Sequence, residues 1–481
     1  VFAKEFAIRN FGSNDKNALL LGMAVVMLLV GVVTGLLARI KLAFGIAMVV
    51  VLGVVGLLAV LNRPDTSAVG AISAFVAAAF GIAALVLLMR AAPQHAPHPR
   101  RDTPEGAAGR HVATEDAATE DAAHTAPDGM SRRGFLGTSA AVAVGAGLAG
   151  AAGQLVLPSA DPSNVGTIAA AKPLPPLPGG IDFTADGGLP FTTSNDTFYR
   201  VDTSLQPPEL SVDSWELRIH GMVDREMTLS FKDLVKRPLL EQRITMTCVS
   251  NEVGGNLVSS ADWVGVSLRD LLLEAGVQKG ADQILSSASG GYSAGTPLDV
   301  VMEPDRGALL AVNMNGAPLP VVHGFPVRMI VPGLFGYCSA CKWIVDIELT
   351  TFAEKKAYWI PRGYAVKAPI KTESKITVPG GFQQVKAGRI TATGTAWMQG
   401  VGIKAVEIML DKGPWQPARL ATEVSKDTWR MWRIDLENVP AGSHTITCRA
   451  IDANGKVQTE ERAATLPNGA SGWHNVLFTA T

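Results

Sequence analysis

Apolar residues in this chain come first in unbroken blocks. Residues 18–38, 43–61 and 68–89 are each about twenty residues long with no charge inside, the length that crosses the hydrocarbon core of a bilayer. A buried core helix would carry a polar face, which these blocks lack, so three transmembrane helices are expected. Further along the periods shorten. In "SWELRIHGMV" Trp215, Leu217 and Ile219 alternate with polar neighbours, the pattern of a half-buried strand. "SFKDLV" and "SLRDLLLEAG" each open with Ser and carry Asp three residues later, a helix-start signature, and Gly276 follows the second as a C-terminal cap. Strands and short helices mix without a regular βαβ rhythm, which predicts an α+β fold. From about residue 375 the runs "RITATGTAW", "KAVEIML", "WRMWRIDL" and "SHTITCRAID" follow one another at short, even spacing, with turns at "DKGP" and "ANGK". Asn454–Gly455 is a hairpin signal, and the whole stretch predicts an all-β sandwich. Ile446, Cys448 and Ala450 share one strand face there, making Cys448 a core residue.

Between these regions the pattern lapses. Residues 91–130 are rich in Ala, Pro, His, Glu and Asp without apolar periodicity and read as a solvated, disordered linker. His95, His98, His111 and His124 lie in it at irregular spacing, which argues against a metal tract. "SRRGFLG" then precedes a Gly/Ala-rich apolar run: Arg132 and Arg133 open a twin-arginine export signal, or flank a fourth transmembrane helix. Both readings place the arginines and the linker in the cytoplasm, with the turn carrying Arg39 and Lys41, and send everything after about 158 outward. The expected organisation is three transmembrane helices (1–90), linker (91–130), signal and fourth helix (131–157), and a Pro/Gly-rich tether (158–180). An α+β domain (181–374) and a sandwich (375–481) follow. The expected location is a prokaryotic cell membrane, with both of these domains extracytoplasmic. The twin-arginine route carries folded proteins, which suits a domain that receives its cofactor before export. No histidine occurs in the three helices, so they hold no bis-histidine haem. A net charge of −1 gives no basic field for nucleic acid.

The chain has four cysteines. Cys248, in "ITMTCVSNEVGG", sits where a β-branched run opens into a polar turn, a place that suits a reactive or metal-binding thiolate as well as a structural thiol. Cys338 and Cys341, in "GYCSACKW", form a C-x-x-C. In an exported domain a structural disulfide leads, with a redox-active dithiol and unpaired thiols as alternatives. No second C-x-x-C completes a zinc site.

The stretch from about 190 to 481 resembles the sulfite oxidase family of molybdopterin enzymes. "SNDTFYRVD", "TCVSNEVGG", "ADWVGVSL", "MNGAPLPVVHGFPVRMIVPG" and "CKWIVDIEL" appear in the family's order, and "GTAW", "VEIMLDKGPW" and "RAIDANGKVQ" resemble its immunoglobulin-like dimerisation domain. The resemblance implies a molybdenum–molybdopterin cofactor with Cys248 as the single protein ligand, a role that suits a soft thiolate. It implies that His323, Arg328 and Lys342 hold the pterin and its phosphate, Arg as a fork and Lys as a point charge. Phe198, Tyr199 and Arg200 would line cofactor and pocket mouth, Trp263 the substrate pocket wall, and Tyr364 would be the pocket tyrosine. Arg200, Trp263 and Tyr364 are thus the expected substrate-orienting set.

Departures bear on the substrate. Where the oxidases place arginines after the ligand cysteine, this chain has Glu252 and Val253, and an Arg-Asn-His triplet reads Arg200-Val201-Asp202. Replacing cations by carboxylates weakens attraction for a dianion by about 1–3 kcal/mol per lost contact. The expected reaction is oxygen-atom transfer on a small oxyanion, with a sulfoxide or N-oxide reductase as the alternative. A reading of another class is a catalytically silent exported adhesion or binding module. No haem-binding Cys-x-x-Cys-His is present. Electrons are therefore expected to pass to a separate carrier, a cytochrome c or a quinone-linked membrane protein, and the sandwich to support a homodimer.

Overall fold

The computed structural model describes residues 15–61, 68–91, 137, 144, 162–171, 173–204 and 206–481. The four linker histidines, Arg132, Arg133 and most of the apolar run after them lie outside the described residues. The chain divides into two compact units, Val1–Leu157 and Pro158–Thr481.

In the first unit the apolar blocks form α1 (Asp15–Ile40), α2 (Leu42–Leu61) and α3 (Ala68–Ala91). All three are long and apolar enough to cross a membrane. Large apolar side chains such as Leu28, Val55 and Phe75 are more than half exposed on them. A Cβ added at Gly45 would lie 2.5 Å from the Ala38 Cβ and 2.9 Å from Leu85, so the glycine permits close helix approach there.

The second unit begins with a segment that does not hang free. Ala171 N donates to the Leu239 carbonyl, Leu174 N to Glu241, and Asn313 Nδ2 to the Ile168 carbonyl at 2.7 Å. The residues expected as a tether thus lie along the domain they precede. Two sheets follow. One runs β2 (Met227–Ser230), β1 (Glu216–Gly221), β10 (Ile344–Thr350), β5 (Gln283–Ala288), β6 (Ser293–Pro297), with β1 and β10 parallel. The other runs β3 (Leu239–Thr247), β4 (Val258–Ser267), β7 (Leu309–Met314), β8 (Ala317–Pro318), and β9 (Arg328–Ile330) also pairs with β7. Four helices of eight residues or fewer connect them: α4 (Phe231–Val235), α5 (Leu268–Ala275), α6 (Leu298–Val301) and α7 (Gly336–Ser339). Both predicted helix starts form. Ser230 and Asp233 close a capping box, Ser267 accepts from Asp270 N, and Gly276 ends α5 at φ +72°. Leu217 and Ile219 are fully buried, as their alternation requires. The mix of sheets and helices is α+β.

A β-sandwich follows. One sheet is β11 (Glu373–Val378), β13 (Gly388–Trp397), β17 (Arg430–Val439), β16 (Arg419–Leu420). The other is β12 (Gln384–Val385), β19 (His474–Ala480), β18 (Gly442–Asp452), β14 (Ile403–Leu410), β15 (Gln416–Pro417). Cys448 is buried in its core beside Ile446 and Ala450. The Asn454–Gly455 turn forms, but beyond it only an Ile451–Val457 bridge pairs, because the Gln458 side chain takes up the Ala450 N–H.

Glu373, at the edge of this sandwich, is 8% exposed, and burial raises its carboxyl to about 8 despite Lys371 and Arg462 nearby. A folded-state pKa above the unfolded value gives stability that is complete below about pH 4.5 and lost as pH rises through about 8. Glu373→Gln is therefore expected to raise stability at pH 8 by on the order of 1–3 kcal/mol and to flatten the loss above pH 5, read by denaturant melts across pH. Equal slopes in both proteins would show that Glu373 is ionised in the fold.

Candidate active site

Strand β3 ends at Thr247, and the chain turns at once. Cys248 N donates to the Leu257 carbonyl (2.9 Å), Asn251 N to the Cys248 carbonyl (3.0 Å), and Leu257 N to Asn251 Oδ1 (2.8 Å). These bonds close a loop whose first residue offers its thiol to a cavity of about 110 Å³. The thiol itself is only 8% exposed; burial pushes its pKa up, while Ser250 N–H at 3.5 Å from Sγ and the Lys342 charge pull it down.

Across the cavity lie the basic residues of the "HGFPVR" and "CKW" stretches. Arg328, on β9, is 5% exposed and has no carboxylate partner among the described residues. Its guanidinium donates to the His323 carbonyl (3.0 Å), rests 3.7 Å from Met246 Sδ and leaves Nε without a partner. Burial lowers its pKa to about 10. His323 Nε2–H donates to the Asn195 carbonyl at 2.7 Å, and burial lowers its pKa to about 4, so the ring is neutral with Nδ1 as acceptor. Lys342 Nζ lies 2.9 Å from Asp202 Oδ2 and 3.3 Å from the Val322 carbonyl, and burial lowers it to about 8 against the pull of Asp202. Gly324, at φ +116°, lets these two stretches meet: a Cβ there would come within 3.0–3.1 Å of the Cβ atoms of Arg328 and Lys342.

Aromatic rings make the rest of the wall. Phe198 stacks on Tyr199 at 5.3 Å and meets His323 edge-on at 5.5 Å. Tyr292, Tyr337, Trp359 and Tyr364 line it too. Tyr292 donates to the Tyr337 carbonyl (2.9 Å) and Tyr337 to the Ala365 carbonyl (2.5 Å). Tyr364 packs 5.3 Å from both Tyr337 and Trp359; burial raises its phenol, which bonds the Ser250 side chain.

The structure thus brings Phe198, Tyr199, Cys248, His323, Arg328, Lys342 and Tyr364 to one cavity. Two of the expected residues stand apart from the lining. Trp263 is fully buried, because both faces of β4 are covered, and its ring lies 4.9 Å from the Arg328 guanidinium, supporting it from behind. The Arg200 side chain is 40% exposed and pairs with Asp202 at 3.2 Å. Of the two carboxylates, Asp202 lines the cavity and is held between Lys342 and Arg200, whereas Glu252 is exposed and not among the lining residues. Sequence reasoning missed Tyr292, Tyr337 and Trp359. The "GGYSAG" turn and the aromatic-rich "YWIPRGY" were the available signals, but neither carries a spacing rule.

Cys338 and Cys341 are free thiols, both buried, and the expected disulfide is not formed. Cys338 belongs to α7 and turns its sulfur to the Phe335 carbonyl (3.2 Å), whereas Cys341 lies beyond the helix end and bonds Ser286. Burial pushes both thiols up to about 12, so they are inert as nucleophiles.

No cluster of three or more His, Cys, Asp or Glu among the described residues could hold a metal. One thiol alone cannot retain one either, so any metal here must bring a further ligand of its own. A phosphorylated pterin with a dithiolene fits. The partnerless Nε of a buried guanidinium suits a phosphate oxygen, His323 Nδ1 suits a pterin N–H, and the Cys248 thiol is of a type that could supply a soft ligand to such a metal.

Comparison with known proteins gives the same fit. Residues 204–359 match the oxidoreductase molybdopterin binding domain, and residues 365–480 the Mo-co oxidoreductase dimerisation domain. Mitochondrial sulfite oxidase of Macaca fascicularis is 32% identical over 320 residues, 56% of this chain and 58% of the relative, so the chain spans under two thirds of that relative's length. The uncharacterized oxidoreductase YuiH of Bacillus subtilis (strain 168) is 33% identical over 153 residues, 32% of this chain and 73% of its own. The sulfane dehydrogenase SoxCD of Paracoccus pantotrophus shares the fold, with TM-score 0.50 and 22% identity over 57% of this chain and 80% of that one. With a molybdopterin-binding domain, a dimerisation domain and these relatives, the chain belongs to the sulfite oxidase family of molybdopterin oxidoreductases.

Proposed function

We propose that this chain is a membrane-anchored, exported molybdopterin oxidoreductase, sulfite oxidase-like, that moves an oxygen atom between water and a small substrate. The observation that carries the reading is Arg328: a buried, partly bonded cation lining the same cavity as the Cys248 thiol. A guanidinium is costly to bury unless an anion completes its bonds, and a pterin phosphate would do so. Arg328, His323 and Lys342 would hold the pterin, Phe198 and Tyr199 would pack against it, and Cys248 would ligate molybdenum after losing its proton. When bound, the cofactor supplies the two-electron redox chemistry and the oxygen exchange. The protein positions and screens. Tyr364, neutral because it is buried, would donate from its hydroxyl to a substrate oxygen, and the rings around it keep bulk water out. Arg200 would attract anions at the edge, and Trp263 would hold Arg328 in place.

One observation favours a neutral substrate as a second reading. Asp202 cancels charge on Lys342 and Arg200 beside an aromatic wall, which suits a sulfoxide or N-oxide better than a dianion. A screen on molybdenum-loaded protein decides: sulfite-dependent dye reduction supports the first reading, sulfoxide-dependent dye oxidation the second, and neither activity leaves the oxygen-transfer proposal without support. Asp202→Asn is expected to lower KM for sulfite by about tenfold, one charge-assisted contact's worth, with kcat little changed. An unchanged KM would show that Asp202 does not govern anion entry.

The remaining parts of the proposal have their own measurements. Electrons would pass to a separate cytochrome c or quinone-linked protein, detected as carrier reduction in reconstituted membranes. The sandwich would pair two copies, read by light scattering in detergent. Protease protection in oriented vesicles reads the extracytoplasmic placement. Absence of molybdenum after growth with molybdate would instead support a silent binding module.

A further inference from the structure

The loop carrying Cys248 is held on both limbs by the C-terminal sandwich. Before the cysteine, Thr245 on β3 makes three bonds to it: its N–H donates to the Asp427 carbonyl (2.9 Å), its Oγ1 accepts from Trp429 N–H (2.7 Å), and its carbonyl accepts from Gln399 Nε2 (2.8 Å). Gln399 Nε2 also reaches Thr247 Oγ1, one residue before Cys248, at 3.3 Å. After the cysteine, Lys375 on β11 donates to the Gly255 carbonyl (2.9 Å) and to Asn256 Oδ1. His474, at the start of β19, accepts Ile376 N–H on Nδ1 (3.0 Å) and lays its ring against Gly254. A Cβ at Gly254, whose φ is +79°, would collide with His474 Cδ2 and Nε2.

Lys375 stands out among these groups. It is 8% exposed, and the partners of its ammonium are loop oxygens, with no carboxylate among them. Burying an ammonium costs free energy that neutral acceptors only partly return. A neutral side chain would serve simple packing at lower cost, whereas a charge-assisted bond to a backbone carbonyl and a side-chain amide restrains the loop strongly and directionally.

We infer that Lys375 and His474 are positioning residues that clamp the 249–257 loop to the sandwich and so present Cys248 in one geometry. The inference rests on the reading of Cys248 as the metal ligand for its purpose, though not for its existence. It gives the dimerisation domain a part in the metal site: an element distant in sequence orients a first ligand, as outer-shell groups do elsewhere.

The test uses the full chain in detergent, as Lys375→Met and Lys375→Arg. In metal-free protein the readout is the alkylation rate of Cys248 by iodoacetamide, with the buried Cys338 and Cys341 as internal controls. Lys375→Met is expected to raise the Cys248 rate about tenfold through local opening, with the controls unchanged, while Lys375→Arg stays within about twofold of the parent. An unchanged Cys248 rate, or Cys338 and Cys341 rising together with it, overturns the clamp. In molybdenum-loaded protein, Lys375→Met is expected to alter the electron paramagnetic resonance signal of the one-electron-reduced metal and to lower kcat about tenfold at constant KM. A parent signal from that variant overturns the link to the metal. If the parent chain binds no molybdenum, the functional proposal falls, and the alkylation rates still decide the clamp.

Discussion

Serine in place of Cys248 is expected to lower turnover by more than about 100-fold, the upper end of what outer-shell changes at metal sites cost. The two side chains are nearly isosteric, and the loop is closed by backbone and Asn251 bonds that do not involve the sulfur, so the fold should survive. What changes is the ligand: an alkoxide is harder and more basic than a thiolate, and a serine hydroxyl does not ionise near neutral pH. X-ray absorption of the variant should show one fewer sulfur neighbour at molybdenum than the parent, with the pterin content unchanged. A variant that keeps its metal–sulfur shell and full turnover would remove Cys248 from the metal site and the functional proposal with it.

Arg328→Met should act in opposite directions with and without cofactor. In cofactor-free protein Arg328 is 5% exposed, with Nε unpaired and no acid paired with it among the described residues. Its replacement by an unbranched apolar side chain that also packs on Trp263 is expected to stabilise the chain by about 1–3 kcal/mol. In loaded protein the same change removes a charge-assisted contact of about 1.5–3 kcal/mol, a loss of roughly 10- to 150-fold in retention of the cofactor. Thermal melts of the two forms, together with pterin and molybdenum assay after dialysis, read both signs. Stability falling equally in both forms would identify Arg328 as a structural cation and leave the pterin phosphate without its fork.

How much of this was legible in the residues depended on the range of the interaction. Three apolar blocks without charge became three helices, since that pattern is complete within each segment. Ser230 and Ser267 capped their helices because a cap bonds three residues on. Cys248, His323, Arg328 and Lys342 were legible through their family blocks, and the cavity gathers all four. The bonds by which Ile168, Ala171 and Leu174 lie along the following domain were not legible, because their partners Asn313, Leu239 and Glu241 are far along the chain. Of the three readings left open for Cys338 and Cys341 the unpaired one holds, and C-x-x-C spacing could not choose it because it does not reveal that a helix ends between the two thiols and sends them to different partners. Trp263 shows the same limit: an aromatic in a matched block can stand at a wall or behind it, and only the covering of both faces of β4 decides.

By itself the sequence determined the membrane-length helices and the α+β and all-β textures, because these follow from residue type and short spacing, whereas the side chains proposed to hold a phosphate and a soft metal were pointed to only through the family resemblance. Only the tertiary structure decided that Asp202 neutralises Lys342 and Arg200 while Glu252 stays in solvent. It alone brought the ring of tyrosines around Tyr364 and set Lys375 and His474 on the cysteine loop. The physical reason is distance along the chain. Charge cancellation and clamping need groups within a few ångströms of each other, and residues more than a hundred positions apart reach that range only after the sheets have paired and the two domains have packed.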